Sequence, residues 1–301
     1  MDGAVLQNIL NFGPVFLLIA TRAFAMIQTA PLISSEAIPQ VAKLALAGFA
    51  AFSVMPTAYI FAAEYSAAAG MAAPGTGVVT LPGAGMAFVT DLRFEPFSLQ
   101  FILLLIGEAI IGIIIGFFLT IIFAAFATAG QFFSLQMGFG ASETFDPLAQ
   151  IENPLMGQFL NLVSMLIFLV VGGFQRLFLN GFWRSVQSVN VLALVEGRDQ
   201  VVALIASGLG RLFMDAIIIS LPILGTLFLI SLATGLISKA APQINILSEG
   251  FPISIMTAFL VILASLPFMV EVFSRIIGSG FDSLETLYAH IGQQIGGRNG
   301  E

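Results

Sequence analysis

The sequence predicts an all-α, polytopic membrane protein with about six long hydrophobic helices. Of its 301 residues, 58% are hydrophobic and only 9% are charged, whereas soluble domains carry about 25% charged residues. The mean hydropathy is +1.02. Six apolar runs also approach or exceed the roughly 20 residues that a helix needs to cross about 30 Å of hydrocarbon. These observations favour a helical membrane protein over a soluble globular domain.

The six predicted helices follow one another along the chain, and the third is unusually long. They cover about residues 9–27, 41–63, 97–129, 158–174, 201–237 and 253–272. At 1.5 Å per residue the third run is roughly 50 Å long, which exceeds a bilayer by more than tilting absorbs. An ordinary bundle of spanning helices is therefore not expected. A Gly- and Pro-rich connection at about 67–85 precedes this run, and residues 276–301 are expected to form a polar tail.

The composition excludes several functional classes. The chain has no cysteine and a single histidine, His290, which rules out disulfides, thiolate ligands and cysteine nucleophiles. The net charge of −7 disfavours a nucleic-acid partner. No spacing resembles a nucleophile with its base, a phosphate-binding loop or a metal-ligand set. We therefore expect no cofactor and no enzymatic activity.

Glu108 is the one charged residue of the third apolar run. Gly112 and Gly116 follow it at intervals of four residues, which places all three on one helical face. Glycines spaced in this way let another backbone approach closely. Because ionisable groups inside a membrane are candidates for function, Glu108 could bind a proton or a cation at this contact. The alternative, which we favour, is a carboxyl group that bonds across the contact and is structural.

Arg22, Lys43, Arg211 and Asp215 are further charged residues in the apolar runs. Arg211 and Asp215 are four residues apart in the fifth run, so they are expected to form a structural ion pair on one helical face. Arg22 and Lys43 lie near the ends of their runs, where long basic side chains extend toward the membrane surface. We therefore expect the charged ends of Arg22 and Lys43 to be solvated.

Two irregular segments interrupt the apolar runs. The first, FGASETFDPLAQIENP at residues 139–154, carries three acidic residues, two prolines and no basic residue. Its glycines and prolines prevent a continuous helix, and Asp146 can bond to the local backbone. On its own this pattern favours a solvated loop. The second, KAAPQINILSEGFPIS at residues 239–254, contains prolines near both ends and a glycine, which predicts the tight turn of a helical hairpin.

These two segments, in this order and setting, resemble those of the FliR family. The resemblance is carried by QMGFGASETFDPLAQIENPLMGQFLNL at residues 136–162, by KAAPQINILSEGFPI at 239–253 and by TRAFAMIQTAPL at 21–32. FliR proteins are export-gate subunits of bacterial flagellar type III secretion, and SpaR/SctT proteins are their virulence counterparts. Glu249 departs from the pattern by its polarity, and the insert near 67–85 departs by its length.

The resemblance implies a fused chain with a non-enzymatic role in protein export. A FliP-like part would cover residues 1–200, and a FliQ-like helical hairpin would cover 201–275. One copy would join FliP-like and FliQ-like subunits and a FlhB-like switch subunit in a hetero-oligomer that conducts unfolded export substrates. The assembly would contact lipid of the bacterial inner membrane, within the flagellar basal body, and would lie largely on the periplasmic side.

The resemblance also implies roles for the two irregular segments. The region at about 137–157 would project into the channel as a plug, since irregular backbone at membrane depth is tolerated only inside protein or beside an aqueous cavity. Its candidate residues are Phe139, Gly140, Glu143, Phe145, Asp146, Pro147, Glu152 and Pro154. The hairpin turn would face the cytoplasmic entrance, with candidate residues Lys239, Pro242, Gln243, Asn245, Gly250 and Pro252.

A self-contained secondary transporter is the main alternative, with Glu108, Asp215 and Arg211 as proton- or ion-coupling residues. Transporters often contain discontinuous helices and internal repeats, but the two halves of this chain show no convincing repeat. A membrane-embedded transferase has less support because His290 lies in a Gly-rich tail without a partner. Co-purification with FliP- and FliQ-like chains separates the export gate from a transporter that works alone.

Overall fold

The computed structural model describes residues 3–35, 37–68, 99–138, 155–189, 191–240 and 246–298. In these ranges all regular structure is helical, which confirms the all-α fold class. The helices in chain order are α1 (Gly3–Thr29), α2 (Gln40–Ala68), α3 (Leu99–Met137), α4 (Leu155–Val170), α5 (Gly173–Ser188), α6 (Val191–Glu196), α7 (Arg198–Ala240) and α8 (Ile246–Arg298). Within α5, Leu177–Trp183 forms a π-helical stretch.

Three of the described helices are long and apolar enough to cross a membrane. The segments concerned are Phe101–Met137, Arg198–Ala240 and Pro252–Ile291, and shorter apolar helices cover Val15–Thr29 and Gln40–Met55. Apolar segments form helices in lipid because each backbone polar group must be bonded within the segment. The helices α3, α7 and α8 contain 39, 43 and 53 residues. The unusual length predicted for the third run therefore extends to the last two helices.

The fourth apolar run is shorter than predicted and ends in a break. The sequence predicts a helix over about 158–174, whereas α4 ends at Val170. The N–H groups of Val171 and Gly172 still bond to carbonyls of the last turn, at 2.9 and 3.2 Å. Gly172 has φ = 73°, a left-handed conformation that glycine adopts readily and that commonly ends a helix. A new helix, α5, begins at the next residue.

The helix α8 continues through residues that the sequence assigns to a polar tail. It extends to Arg298, and Phe281, Leu284, Tyr288 and Ile291 are only 1–4% exposed. These side chains recur every three or four residues, so they lie on one helical face. The expected polar tail is therefore corrected for residues 276–291, where an apolar stripe is buried despite the polar residues between its members.

The chain divides into two compact units. Unit 1 comprises Met1–Thr120, Phe174–Ala206 and Gly280–Glu301, and unit 2 comprises Ile121–Gly173 and Ser207–Ser279. Neither unit is continuous in sequence, because α3, α7 and α8 each contribute residues to both. The division at residue 200 into FliP-like and FliQ-like parts describes an implied ancestry, and it stays a prediction.

Unit 2 contains a cluster of phenylalanine rings from α3, α4 and α8. The ring centre of Phe273 lies 4.0 Å from that of Phe126 and 6.2 Å from that of Phe123, both in edge-to-face arrangements. Phe123 also lies 5.3 Å from Phe168. All four rings are at most 2% exposed. Edge-to-face contacts of this kind stabilise a core beyond the burial of apolar area.

Candidate functional site

Arg22 of α1 lies at the centre of a buried polar cluster in unit 1, with only 3% of the residue exposed. Its Nε donates to Oε2 of Glu108 at 2.6 Å. One terminal nitrogen donates to the carbonyl of Ser185 at 2.6 Å, and the other donates to the carbonyl of Val189 at 2.8 Å. The hydroxyl of Ser185 is 3.4 Å from the first of these nitrogens. We call Arg22, Glu108, Ser185 and Val189 the polar junction.

The guanidinium group of Arg22 binds the carboxyl end of α5. The last carbonyls of a helix lack partners within the helix and carry a partial negative charge. The helix ends at Ser188, and Val189 is extended, with φ −125° and ψ 117°. A planar guanidinium can satisfy several such acceptors at once. Arg22 therefore caps α5 at a position that is buried from solvent.

Glu108 of α3 supplies the negative charge that balances Arg22. The side chain of Glu108 is 14% exposed, compared with 4% for the side chain of Arg22. A buried ion pair persists where its geometry is good and where further hydrogen bonds satisfy the remaining donors, as the carbonyls of α5 do here. Because a cation already holds Glu108, the geometry favours a structural carboxylate over one that binds a transported proton or cation.

The two glycines that follow on the predicted face of α3 lie against α1. A Cβ atom at Gly112 would collide with the carbonyl of Arg22, and one at Gly116 would collide with the side chain of Thr29. One turn further along, the hydroxyl of Thr120 donates to the carbonyl of Thr29 at 2.9 Å. The face that the sequence predicts from its four-residue spacing is thus a close contact between two helices.

A second polar contact of unit 1 involves the π-helical stretch of α5. Such stretches are rare and frequently occur at functional sites. The hydroxyl of Tyr288, on α8, donates to the carbonyl of Gly181 at 3.0 Å, and Tyr288 is 4% exposed. Nearby along α5, Arg184 forms an ion pair with Glu285 of α8. The same part of α5 therefore binds α1 through the polar junction and α8 through these two contacts.

Arg22 and Lys43 are buried, which corrects the expectation that their charged ends are solvated. Lys43 is 2% exposed, and its ammonium group donates to the carbonyl of Ser34 at 2.9 Å. The acceptors that stabilise these cations lie outside their own helices. Position near a helix end therefore predicted the wrong environment for both side chains.

The remaining residues of the transporter alternative belong to a different compact unit from Glu108. Arg211 and Asp215 lie on α7 in unit 2, whereas Glu108 lies in unit 1. Arg211 is exposed and Asp215 is half-buried. The ion pair between Arg211 and Asp215 stays a prediction.

The candidate plug residues all lie outside the described residues, and the plug stays a prediction. The structure does describe where the segment begins. The helix α3 ends at Met137, and Gly138 has φ = 91°. A glycine in this conformation commonly follows the last residue of a helix. The helix α3 thus continues beyond residue 129, where the third run was expected to end, and stops just before the segment at residues 139–154.

Three of the six residues predicted for the hairpin turn lie in helices. Lys239 lies in the last turn of α7 and is exposed. Gly250 and Pro252 lie inside α8, which begins at Ile246, so they are not turn residues. Of the other candidates, Pro242, Gln243 and Asn245 fall outside the described residues. A glycine and a proline near the start of α8 therefore lie within continuous helix.

Ser185 and Tyr288 take part in the network of unit 1 although no motif marks them. Tyr288 carries a partial signal, since it repeats at helical spacing with Phe281, Leu284 and Ile291. His290, two residues further on, is exposed on α8. Across the described ranges, no three histidine, cysteine, aspartate or glutamate side chains come together as a metal site would require.

Comparison with known proteins confirms the resemblance. A family model described as bacterial export proteins, family 1, matches residues 14–280. The flagellar biosynthetic protein FliR of Borreliella burgdorferi is 36% identical over 187 residues, which are 62% of this chain and 70% of that protein. FliR of Bacillus subtilis is 25% identical over 289 residues, covering 95% and 99%. The surface presentation of antigens protein SpaR of Shigella sonnei is 29% identical over 164 residues, covering 54% and 62%.

Proposed function

Because the chain belongs to the family of bacterial export proteins, family 1, we propose that it is the FliR-type subunit of a flagellar type III export gate. The observation that carries this proposal is the similarity to flagellar FliR over 95% of the chain, together with the family match over residues 14–280. The SpaR relative aligns with a smaller share, 54%, which supports the flagellar branch. The subunit acts by forming part of a channel and performs no chemistry of its own.

The apolar helices support a location in the bacterial inner membrane. Three of the described helices are suited to cross a bilayer by length and composition. At 1.5 Å per residue, helices of 39–53 residues are roughly 60–80 Å long, which is two to nearly three times the hydrocarbon thickness of about 30 Å. Helices of this length support an assembled position that extends beyond the membrane, and we propose from the family resemblance that it extends on the periplasmic side.

The exposed apolar faces of the last two helices are available for contact with lipid and with sister chains. On α7, Leu221, Leu229 and Leu236 are 62–70% exposed, and on α8, Met256 and Leu263 are 68% and 69% exposed. Apolar helices associate in membranes by close packing and polar contacts. FliP-like and FliQ-like subunits are the proposed partners for these faces, with a FlhB-like switch subunit completing the gate.

The segment at residues 139–154 is the proposed plug of the channel. It follows the left-handed glycine at which α3 ends, and it combines acidic residues with two prolines. A charged, irregular segment is tolerated at membrane depth only inside protein or beside an aqueous cavity. Unfolded export substrates need such an aqueous path. We expect this segment to close the path at rest and to leave it when a substrate enters.

Deletion of residues 140–153 tests the plug. The expected result is a large increase in ion leakage across the inner membrane in cells whose gate still assembles. The matched control is deletion of residues 70–83, an uncharged connection of equal length, which should leave the leakage at its resting level. A correctly assembled complex without residues 140–153 that leaks no more than the control would contradict the plug.

Purification from the native membrane tests the gate itself. Full-length tagged protein, extracted in mild detergent, is expected to bring FliP-like and FliQ-like chains with it, because a gate subunit of this type is assembled with them in the proposed complex. The measurement is identification of the co-purified chains by mass spectrometry. A monodisperse chain that purifies alone and moves ions in liposomes would contradict the gate and favour the transporter.

A further inference from the structure

The exposed surface of α8 changes from apolar to polar within one helical turn. Every exposed side chain in residues 253–268 is apolar, and Leu263, near the middle, is 69% exposed. The next exposed residues are Glu271 and Arg275, which form an ion pair at 3.1 Å with side chains 72% and 74% exposed. The surroundings that suit α8 therefore change between Phe268 and Glu271. The exposed residues further along are Asp282, Thr286, Ala289 and His290.

The uncharged part of α8 has the length of one bilayer crossing. Glu249 and Glu271 are the charged residues on either side of residues 250–270. At 1.5 Å per residue this stretch is roughly 32 Å long, and the hydrocarbon of a bilayer is about 30 Å thick. Because a charged side chain is costly at the centre of a bilayer, we expect Glu271 and Arg275 at its edge or outside it.

The helix α7 contains a matching uncharged stretch. Residues 216–238 carry no charge and lie between Asp215 and Lys239, and their helical length is roughly 35 Å. Residues 241–245 join α7 to α8, and a link of this size reaches about 20 Å at most. It is too short to cross the hydrocarbon, so the two stretches meet on one side of the bilayer. Asp215 and Glu271 then mark the opposite side.

Hydropathy alone would allow a longer embedded segment. By length and composition, Pro252–Ile291 could lie in a membrane as a whole, but Glu271 would then lie at the middle of the hydrocarbon with an exposed side chain. The apolar residues that follow Glu271 do not need lipid, because the protein itself covers them. Those at most 2% exposed include Phe273, Ile277, Phe281, Leu284 and Ile291.

We propose that the boundary of the bilayer hydrocarbon crosses α8 between Phe268 and Glu271 and crosses α7 near Asp215. Residues 253–268 lie at the depth of the hydrocarbon, where lipid and sister chains share the exposed face of α8. The part of α8 beyond Glu271 has its exposed face in water. This inference rests on the proposed membrane location and not on the export role.

Spin labels test this boundary. The chain contains no cysteine, so each single-cysteine variant of the full-length protein carries one label. The protein, with any chains that co-purify, is reconstituted into vesicles of phosphatidylcholine and phosphatidylglycerol. Molecular oxygen concentrates in hydrocarbon and a nickel chelate stays in water, so the accessibility of a label to each reports its depth. The labelled residues are Leu260, Leu263, Leu266, Arg275 and Ala289, all of them exposed.

The nickel chelate is expected to reach the labels at Arg275 and Ala289 and to be excluded from the three leucine positions. Oxygen should reach at least one of these three, because they point to different parts of the exposed face. Ala289 is the matched control for Arg275, since its replacement removes no charge. Exclusion of nickel from Arg275 and Ala289 would overturn the proposal and favour a helix embedded to Ile291. Nickel at the leucine positions, or no oxygen at any of them, would overturn it as well.

A charge placed on either side of the boundary gives a second test. Leu263→Lys should lower the midpoint of thermal unfolding in the vesicles, because its charge enters the hydrocarbon level. Ala289→Lys, at an exposed position beyond Glu271, should leave the midpoint unchanged. Equal shifts would contradict the boundary. The chains that co-purify are identified separately, so a failed boundary and a failed export role give different results.

Discussion

The polar junction of unit 1 and the phenylalanine cluster of unit 2 hold helices together by different means. In the junction, Arg22 donates to three acceptors at 2.6–2.8 Å, which lie on α3, on α5 and on the residue after α5. In the cluster, Phe273 packs edge-to-face against rings whose centres are 4.0 and 6.2 Å away. Dispersion contacts change gradually as side chains shift, whereas a hydrogen bond weakens steeply with misalignment.

In a chain as apolar as this one, directed polar contacts specify the arrangement of the helices more strictly than apolar packing does. In lipid, the surroundings are as apolar as the protein interior, so apolar side chains do not by themselves distinguish inside from outside. The phenylalanine rings stabilise unit 2 through packing that tolerates small changes of shape. The junction of unit 1 requires one arrangement of α1, α3 and α5. Substitutions should therefore be more costly in the junction than in the cluster.

Arg22→Met should have the largest effect. The substitution leaves the carboxylate of Glu108 buried without its partner and removes the donors from two carbonyls of α5. Removal of one member of a buried ion pair costs about 3–5 kcal/mol. The measurement is the free energy of unfolding of the purified protein in detergent. Stability equal to that of the unmodified chain would show that the junction is not a determinant of unit 1.

Gly112→Ala should have the next largest effect. A Cβ atom at this position collides with the carbonyl of Arg22, and overpacking of this kind costs about 1–3 kcal/mol. The matched control is Gly210→Ala on α7, where nothing lies within 4 Å of an added Cβ atom. Because alanine favours a helix, the control should be neutral or stabilising by up to about 1 kcal/mol. Equal effects of the two substitutions on thermal stability would contradict the close contact of α3 with α1.

Phe273→Leu should cost less than either change in unit 1. The substitution keeps an apolar side chain in the cluster and loses the edge-to-face contacts, which contribute about 0.5–1.5 kcal/mol. Phe268→Leu, at a position that is 46% exposed, is the control and should have little effect. The comparison uses the midpoint of thermal unfolding of both variants. A loss as large as that of Arg22→Met would remove the proposed difference between the two regions.

Arg184→Gln should have the smallest effect. Arg184 and Glu285 form an ion pair whose side chains are about half exposed, and pairs of this kind contribute about 0–1 kcal/mol. Added salt should reduce even this contribution, because exposed charges are screened. A measurement of stability at low and high salt checks both points. A large loss that persists at high salt would show that this pair, and not the hydroxyl of Tyr288, holds α8 on α5.

Local patterns in the sequence predict much of the fold. Composition and run length give the helical class, and four-residue spacing gives the face of Gly112 and Gly116 that packs on α1. The irregular segment predicted from residue 139 agrees with the end of α3 at Met137, although the third run was expected to end near residue 129. Each of these features depends on residues within a few turns of one another. Sequence is informative at that range because helical geometry relates neighbouring residues in a fixed way.

The contacts that define the polar junction could not be predicted in the same way. Arg22 and Glu108 are 86 residues apart, and Arg22 and Ser185 are 163 residues apart. No local rule relates positions at that distance. Position near a helix end suggested a solvated arginine, but the buried carbonyls of α5 and the carboxylate of Glu108 stabilise it inside. The polar tail is a similar case, because its buried stripe gains its energy from contacts elsewhere in unit 1.

A double-mutant cycle on Arg22 and Glu108 tests most directly the claim that the two side chains stabilise the junction as a buried ion pair. Glu108→Gln in the unmodified chain should lower the free energy of unfolding, because Arg22 loses its counter-charge. In the Arg22→Met background the same substitution should raise it, because it removes a buried charge that has no partner. A change of sign between the two backgrounds is the predicted result. Equal loss of stability in both backgrounds would contradict the claim.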